Sequence, residues 1–334
     1  VIPYARQSIS TADIEAVTKV LCSDYLTQGP AVPAFEQAVT TMCDVEHAVA
    51  VNSATSALHI ACIALGLRAG DWLWTTPNTY VASANAAVYC GAQVDFVDID
   101  PETYNLCPNK LEQKLKSAEQ SGLLPKVVMP VHFSGQPCDM ERISSLSQRY
   151  NFKIIEDASH ALGAKYKNQM TGHCEHSDVT VFSFHPVKLI TTGEGGMALT
   201  NDKSLAERMA RLRSHGVTRN EELMVQKNVG PWYYEQVDLG FNYRMSDLSG
   251  ALGRAQLARL DQFIARRRQI VATYNQELAN LPLALPVQRE YAESSWHLYV
   301  LRADEAVSGI SRNALFMRLR DQGIGVNVHY LPVH

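Results

Sequence analysis

Short β-branched runs alternate with helix-like segments through the first two hundred or so residues, and this alternation limits what the chain can fold into. "HAVAV" (47–51) precedes "TSALHIACIALG", "WLWTT" (72–76) precedes "YVASANAAVYCG", "QVDFVDID" (93–100) precedes "NKLEQKLKSAE", and "KVVMPV" (126–131) precedes "MERISSLSQRY". "FKIIED" (152–157) closes the series, and "DVTVFSF" and "GMALT" follow it. Strands joined by crossovers of roughly ten or more residues run parallel, with the crossover helices lying on the sheet faces. The expected fold is therefore α/β, a large domain on a mostly parallel, doubly wound sheet between helices. A helix should precede the series, because Ser10 and Asp13 stand in capping-box spacing ahead of "IEAVTKVL".

The pattern changes at Leu248. Leu257, Leu260, Ile264, Val271, Tyr274 and Leu278 recur at three-, four- or seven-residue steps, which predicts one long amphipathic helix ending before Pro282. Beyond it, "WHLYVLR" and "RNALFMRLRDQGIGVNVHY" read as strand, helix and strand. The expected division is a large domain over 1–247, then the linking helix and a small C-terminal α+β domain over 248–334. A closing strand at "LPVH" lacks partners and a covering helix, so a further C-terminal piece is expected.

Composition removes several function classes. With 334 residues, 46% of them hydrophobic, the chain can bury a sizeable core. The formal net charge is −4 and the bases are dispersed, so there is no stripe for nucleic acid or anionic lipid; "ARRRQ" (265–269) reads as the solvated face of a helix. No apolar stretch is long enough to span a bilayer, and "VIPYARQSIS" lacks a signal-peptide layout, so a cytoplasmic protein without membrane partners is expected. The seven cysteines are scattered and include no CxxC pair, which argues for small core residues rather than disulfides. A nicotinamide dehydrogenase would carry GxGxxG after the first strand, and none is present. "GHCEHSD" supplies His173, Cys174, Glu175 and His176, residues of zinc-binding type. Consecutive side chains diverge, however, so no metal site is expected.

In doubly wound sheets ligands bind beyond the carboxyl ends of the strands, so residues at those positions carry the functional reading. The "NSATSA" segment after "HAVAV" either caps a helix or offers free N–H groups to a phosphate. Asp157 ends a buried strand and must have a partner, either a structural arginine or the protonated ring nitrogen of a pyridine. Tyr80 is either core or the face against which a planar cofactor lies. Lys188 is either a surface lysine in a glycine turn or a buried amine made nucleophilic by a lowered pKa. Gly193, Gly195 and Gly196 permit close backbone approach and positive φ. Phosphate cradle, carboxylate, aromatic face and amine together match pyridoxal phosphate, held as a Schiff base on the lysine with its ring nitrogen kept protonated.

These residues also carry a family resemblance. The ordered set "YLTQGPAVPAFEQAV", "VNSATSALHIA", "PNTYVASANAA", "GAQVDFVDID", "IIEDASHALGA", "FSFHPVKLITTGEGGMALTND", "GFNYRMSDLSGALGRAQLARL" and "GIGVNVHYLPVH" resembles the DegT/DnrJ/EryC1/StrS sugar aminotransferases, fold-type I pyridoxal 5'-phosphate enzymes, over nearly the whole chain. The resemblance implies that Lys188 is the catalytic Schiff-base lysine and proton shuttle, and that Asp157 pairs with the ring nitrogen. It implies that Tyr80 stacks on the ring and that Thr55 and Ser183 hold the phosphate with Ala54, which replaces the family's glycine. His160 occupies the place of a common glutamine near the ring hydroxyl. Asn242 matches an asparagine that reaches the neighbouring subunit's phosphate, which implies a homodimer with shared sites.

Family dehydratases carry histidine at the lysine position, so Lys188 implies transamination, with L-glutamate as donor and a UDP-linked keto sugar as acceptor. Within the family the "FHPVKLITTGEGG" and "GPWYYEQVDLGFNYRMSD" segments most resemble the aminotransferases of pseudaminic acid biosynthesis. Trp232, Tyr233 and Tyr234 are expected either to stack on sugar or uracil or to pack between lobes, with His329 and Tyr330 at the same mouth. The alternatives are an aminotransferase for another nucleotide keto sugar and a non-catalytic regulator on this scaffold, the latter opposed by the intact lysine and aspartate.

Overall fold

The structure, a computed structural model, describes all 334 residues. Two helices lead in, α1 (Thr11–Leu21) and α2 (Ala31–Cys43). α1 starts at the expected capping box, in which the Ser10 hydroxyl accepts the Asp13 N–H and the Asp13 carboxylate accepts the Ser10 N–H. The alternating series follows as β1 (His47–Val51), α3 (Ala54–Ala64), β2 (Trp72–Thr75), α4 (Ala82–Tyr89), β3 (Gln93–Phe96), α5 (Pro108–Ser121), β4 (Val127–Val128), α6 (Met140–Tyr150) and β5 (Lys153–Asp157). A small hairpin, β6 (Lys165–Tyr166) and β7 (Gln169–Met170), leads to β8 (Val179–Ser183), β9 (Gly196–Thr200) and α7 (Lys203–Leu212). β10 (Val217–Thr218) pairs with β11 (Glu235–Gln236) at the base of a long loop. The chain continues through α8 (Asp247–Leu257), α9 (Leu260–Glu277), β12 (Ala292–Glu293), α10 (Glu305–Ser308) and α11 (Arg312–Asp321).

The main sheet has the order β1-β9-β8-β5-β4-β2-β3. β9 runs antiparallel to both its neighbours and the other pairings are parallel. Because β9 enters the sheet in the reverse sense, its first residue lies at the edge where β1, β5 and β8 end. Both faces of the sheet are apolar. Val49, Val51, Val127, Ile155, Val181 and Ala198 pack under α3, α4 and α7. On the other face Ala50, Phe182, Met197 and Leu199 pack with α2 and α9, and Trp74, Val128 and Ile154 pack with α5 and α6. Alternate residues of one strand thus fill two different layers, and a slip of one residue would exchange Phe182 for Val181 across the sheet.

Two sequence expectations change. The long helix beginning at Leu248 is two helices, broken at Ala258 and Arg259. The apolar spacing passes unaltered through the break, with neither Pro nor Gly to mark it, so periodicity alone cannot detect it. The break follows from different packing: α8 lies against α1 and α2, whereas α9 sets Leu260 and Ile264 into the layer beneath β8 and β9. Arg259, at the junction, is held by the Asp13 carboxylate at 2.6 Å and by the Ser8 carbonyl. The two strands read in the C-terminal part do not form ladders. Pairing of 296–302 is limited to an Ala284–Arg302 bridge, and pairing of 324–330 to an Ile2–Ile324 bridge, because neither segment lies along a partner strand. No helix is long and apolar enough to cross a membrane.

The helical layer that carries the site is tied together by one carboxylate. Asp247 is buried at the start of α8 and accepts N–H bonds from Gly29 (2.7 Å), Ala31 (2.7 Å) and Val32 (3.2 Å) at the start of α2. An anion there satisfies orphan donors and faces the positive end of the helix dipole. Asp247→Ala should lower the unfolding free energy by about 2–4 kcal/mol, because it strands buried N–H groups. Asp247→Asn should cost less, since one acceptor oxygen remains; urea denaturation of both variants checks the order.

Candidate active site

A pocket of about 450 Å³ opens beyond the carboxyl ends of β1, β2, β5 and β8. Each strand delivers its first residues after the sheet to this pocket, as the topology requires. β1 leads to Ser53, Ala54 and Thr55, β2 to Thr79 and Tyr80, β5 to Asp157, Ser159 and His160, and β8 to Ser183 and Lys188.

At the start of α3 both readings of "NSATSA" hold at once. Ser53 caps the helix, its hydroxyl accepting the Ser56 N–H at 3.1 Å. The Ala54 and Thr55 amides, by contrast, have no protein acceptor, which leaves two donors facing the pocket at the positive end of the helix. Gly196 explains how the loop fits here: a Cβ at this position would collide with the Ala54 nitrogen and the Ser53 carbonyl carbon. The missing side chain therefore lets β9 lie against the phosphate-type cradle. Of the three loop glycines, Gly193 takes a positive φ, 82°.

Asp157 is 5% exposed. No arginine or lysine pairs with it, so the structural ion pair considered from the sequence is not formed. Its oxygens accept the Ser83 hydroxyl at 2.6 Å and the Ser159 N–H at 3.1 Å. Two neutral donors orient a buried carboxylate without cancelling its charge, which suits it to face a cationic ring nitrogen.

Lys188 sits on a loop pinched shut at its base. The Phe184 N–H donates to the Gly195 carbonyl, and the Thr192 N–H and Thr191 hydroxyl both donate to the Phe184 carbonyl. The Lys188 ammonium has no hydrogen-bond or ion-pair partner, although the residue is only half exposed or less. Burial lowers its pKa to about 8, against the attraction of Asp157. The same burial, together with the nearby Lys188 charge, pushes His160 and His297 well below the usual imidazole range and lowers His329. These imidazoles are therefore neutral, and the lysine is an amine within reach of its reactive form at ordinary pH.

The pocket also collects His329 and Tyr330 from the C-terminal segment, with Tyr4. Tyr4 Oη lies 2.9 Å from His329 Nε2, and the Tyr330 N–H donates to Asn78 Oδ1 at 3.1 Å. Tyr80 is 63% exposed, its ring 6.4 Å from that of Tyr330, so one face is open to a planar ligand. Four residues singled out from the sequence lie elsewhere. Trp232 and Tyr233 are in the loop between β10 and β11, where Tyr233 bonds Glu235 and the exposed Trp232 ring rests on Gly230, and neither lines the pocket. Tyr234 is exposed in the same loop. Asn242 is exposed beside Asn52, also outside the pocket lining. The "GHCEHSD" side chains diverge as expected: His173 Nδ1 meets the Asp44 carbonyl, whereas the Cys174 thiol turns inward to the Leu199 carbonyl.

Sequence reading missed Ser83, Ser159, Glu194 and His297. The first two lie inside motifs already marked, three residues after Tyr80 and two after Asp157. His297 has no local signal. It is buried in the pocket wall with its Nδ1 unpartnered, brought there from a segment far along the chain.

The gathered residues fit pyridoxal phosphate: free amides and hydroxyls for a phosphate, a buried carboxylate for a ring nitrogen, an open aromatic face and a desolvated amine. Comparison with known proteins points the same way. The model of the DegT/DnrJ/EryC1/StrS aminotransferase family matches residues 7–334. The UDP-4-amino-4,6-dideoxy-N-acetyl-beta-L-altrosamine transaminase of Campylobacter jejuni is 41% identical over 334 residues, covering 99% of this chain and 84% of the relative. Among solved structures, Helicobacter pylori PseC, an aminotransferase involved in pseudoaminic acid biosynthesis, superposes with a TM-score of 0.88 at 30% identity, covering 99% of this chain and 85% of that one. A putative sugar aminotransferase of Streptococcus pneumoniae, Spr1654 in its PMP-form, gives a TM-score of 0.88 at 31% identity, covering 100% and 86%.

Lys188→Ala should retain the parent circular dichroism spectrum yet leave no side chain to which borohydride fixes pyridoxal phosphate, as read by peptide mapping. For the parent protein freed of cofactor, capture of pyridoxal phosphate should accelerate as pH rises and level off above about 8, where the Lys188 amine loses its proton, instead of near the ordinary lysine value of 10.5. Stopped-flow absorbance at a series of pH values reads this directly.

Proposed function

The chain belongs to the DegT/DnrJ/EryC1/StrS aminotransferase family, and we propose that it transfers the amino group of L-glutamate to C4 of a nucleotide-linked 4-keto-6-deoxy sugar. The enzyme is a pyridoxal-phosphate-dependent aminotransferase. The sugar we favour is UDP-2-acetamido-2,6-dideoxy-β-L-arabino-hexos-4-ulose, giving UDP-4-amino-4,6-dideoxy-N-acetyl-β-L-altrosamine. The named activity of the Campylobacter relative and the likeness to PseC support this choice. The observation that carries the reading is the desolvated, unpartnered Lys188 amine in one pocket with a buried Asp157 carboxylate that only neutral donors hold.

Pyridoxal phosphate supplies an electron sink beside the carbon that loses or gains a proton. The chain's residues do the rest. Asp157 holds its charge in place through Ser83 and Ser159 and favours a protonated ring nitrogen. The Ala54 and Thr55 amides and the Thr55 and Ser183 hydroxyls bind phosphate at the start of α3. Lys188 Nζ, as the free amine, takes the α-proton of glutamate and later delivers a proton to C4 of the sugar, a general-base and general-acid role on one atom. The neutral His160, His297 and His329 add no positive charge that would hold Lys188 further from its ammonium form or compete for the phosphate.

We further propose a cytoplasmic homodimer with shared sites. Asn242 is exposed and does not line its own pocket, which suits a residue that completes the phosphate site of a second copy. The exposed Trp232 and its partly buried neighbour Tyr233, neither of which lines the pocket of its own chain, are assigned to the sugar or uracil of a second copy's site.

Incubation with L-glutamate should produce 2-oxoglutarate and bleach the visible band of the bound cofactor. Glutamate-loaded enzyme offered a panel of UDP- and dTDP-linked 4-keto sugars should convert the UDP-N-acetyl member fastest. An unchanged spectrum would favour a non-catalytic regulator. If sites are shared, refolded mixtures of Lys188→Ala and Asn242→Ala chains, each poorly active alone, should regain turnover, because one of the two pockets in a mixed dimer has both residues intact.

A further inference from the structure

One hydroxyl in the pocket has its proton direction fixed by its neighbours. His160 Nδ1 lies 3.3 Å from the Ser134 amide nitrogen, and an amide N–H only donates, so Nδ1 is the acceptor. In a neutral ring the proton must then sit on Nε2. Nε2 is 3.1 Å from Tyr330 Oη, with the two rings nearly parallel at 26°. The imidazole is consequently the donor in that bond and the phenolic oxygen the acceptor. The Tyr330 proton has to point elsewhere, and no protein acceptor lies within hydrogen-bond distance. Burial favours exactly these protonation states, lowering His160 and raising Tyr330.

Both ends of this relay are fixed. Ser134 lies in a 3-10 turn, Phe133–Gly135, whose Phe133 amide donates to Asn105 Oδ1 at 2.9 Å. The Phe133 ring packs edge-on to Tyr330 and against His160. The Tyr330 backbone is tied to Asn78, and the Val333 N–H to the Pro77 carbonyl. Tyr330 belongs to the C-terminal segment that forms the mouth with Tyr4 and His329, whereas the proposed cofactor ligands come from the strand ends.

We propose that the Tyr330 hydroxyl donates a hydrogen bond to the keto oxygen of the sugar substrate, and that His160 is its positioning residue, forcing the phenolic proton into the pocket. The inference rests on the sugar aminotransferase reading above. A donor at the carbonyl oxygen polarises C4 towards attack by an amine and rejects sugars that carry no oxygen acceptor there. In the glutamate half of the cycle a keto oxygen appears only on the departing 2-oxoglutarate, and the proposal places the Tyr330 bond on the keto oxygen of the sugar instead. His160 thereby acts through Tyr330.

The test uses holoenzyme and single-turnover kinetics of each half-reaction, on a keto sugar that the parent enzyme converts. Tyr330→Phe keeps the ring and removes only the hydroxyl. We expect its sugar half-reaction to fall about 10- to 100-fold, and to fall at least tenfold more than the glutamate half-reaction. In a double-mutant cycle with His160→Leu, the losses in the sugar half-reaction should be far from additive, since both variants break one relay. The pH titration of the bound cofactor's visible band should keep its midpoint in Tyr330→Phe. Equal losses in the two half-reactions, additive losses in the cycle, or a shifted cofactor titration would each overturn the proposal, the last by assigning the hydroxyl to the cofactor's ring oxygen. A parent enzyme that converts glutamate but none of the sugars would instead overturn the substrate reading on which it rests.

Discussion

A carboxylate and an amine that are both removed from water, and yet not neutralised by each other in a salt bridge, set the terms for the whole site. Asp157 is held by a hydroxyl and an amide, and Lys188 has no partner. Each arrangement is costly in an isolated protein, and both become favourable when a cationic ring nitrogen and an aldehyde are supplied from outside. The surrounding structure keeps the two apart. Asp157 ends a rigid strand flanked on both sides by paired backbone, and Lys188 sits on a loop fastened to the Phe184 carbonyl.

Sheet topology makes this separation possible. The one reversed strand, β9, begins at the edge where its neighbours end, so Gly196 abuts the first residues of α3. The lysine loop is thus the connection between two antiparallel neighbours, β8 and β9, and cannot drift from the cradle formed after β1. A parallel crossover in its place would carry the chain to the far edge before returning.

Polar groups at the mouth show a second level of order. His160 spends its two ring nitrogens on the Ser134 amide and the Tyr330 hydroxyl. Neutral imidazoles at His160, His297 and His329 also explain how these three side chains stand beside an amine without driving its pKa further down through repulsion.

The alternation of apolar runs by itself determined the α/β class, and position after a strand marked the segment holding Ala54 and Thr55, Tyr80, Asp157 and Lys188 as one set, because a parallel sheet aligns its carboxyl ends whatever the details of its loops. The capping box at Ser10 was equally legible, since its two hydrogen bonds span only a few residues. Other features were decided by partners distant in sequence. The break between α8 and α9 leaves the apolar spacing intact and arises from packing on different layers. His297 reaches the pocket wall from a segment with no local mark, and the reversed sense of β9 follows from pairing with β1 and β8. The direction of the Tyr330 proton depends on a backbone amide at Ser134. Local hydrogen bonding and periodicity can be read along a chain, whereas contacts between distant segments exist only once the packed layers have brought them together.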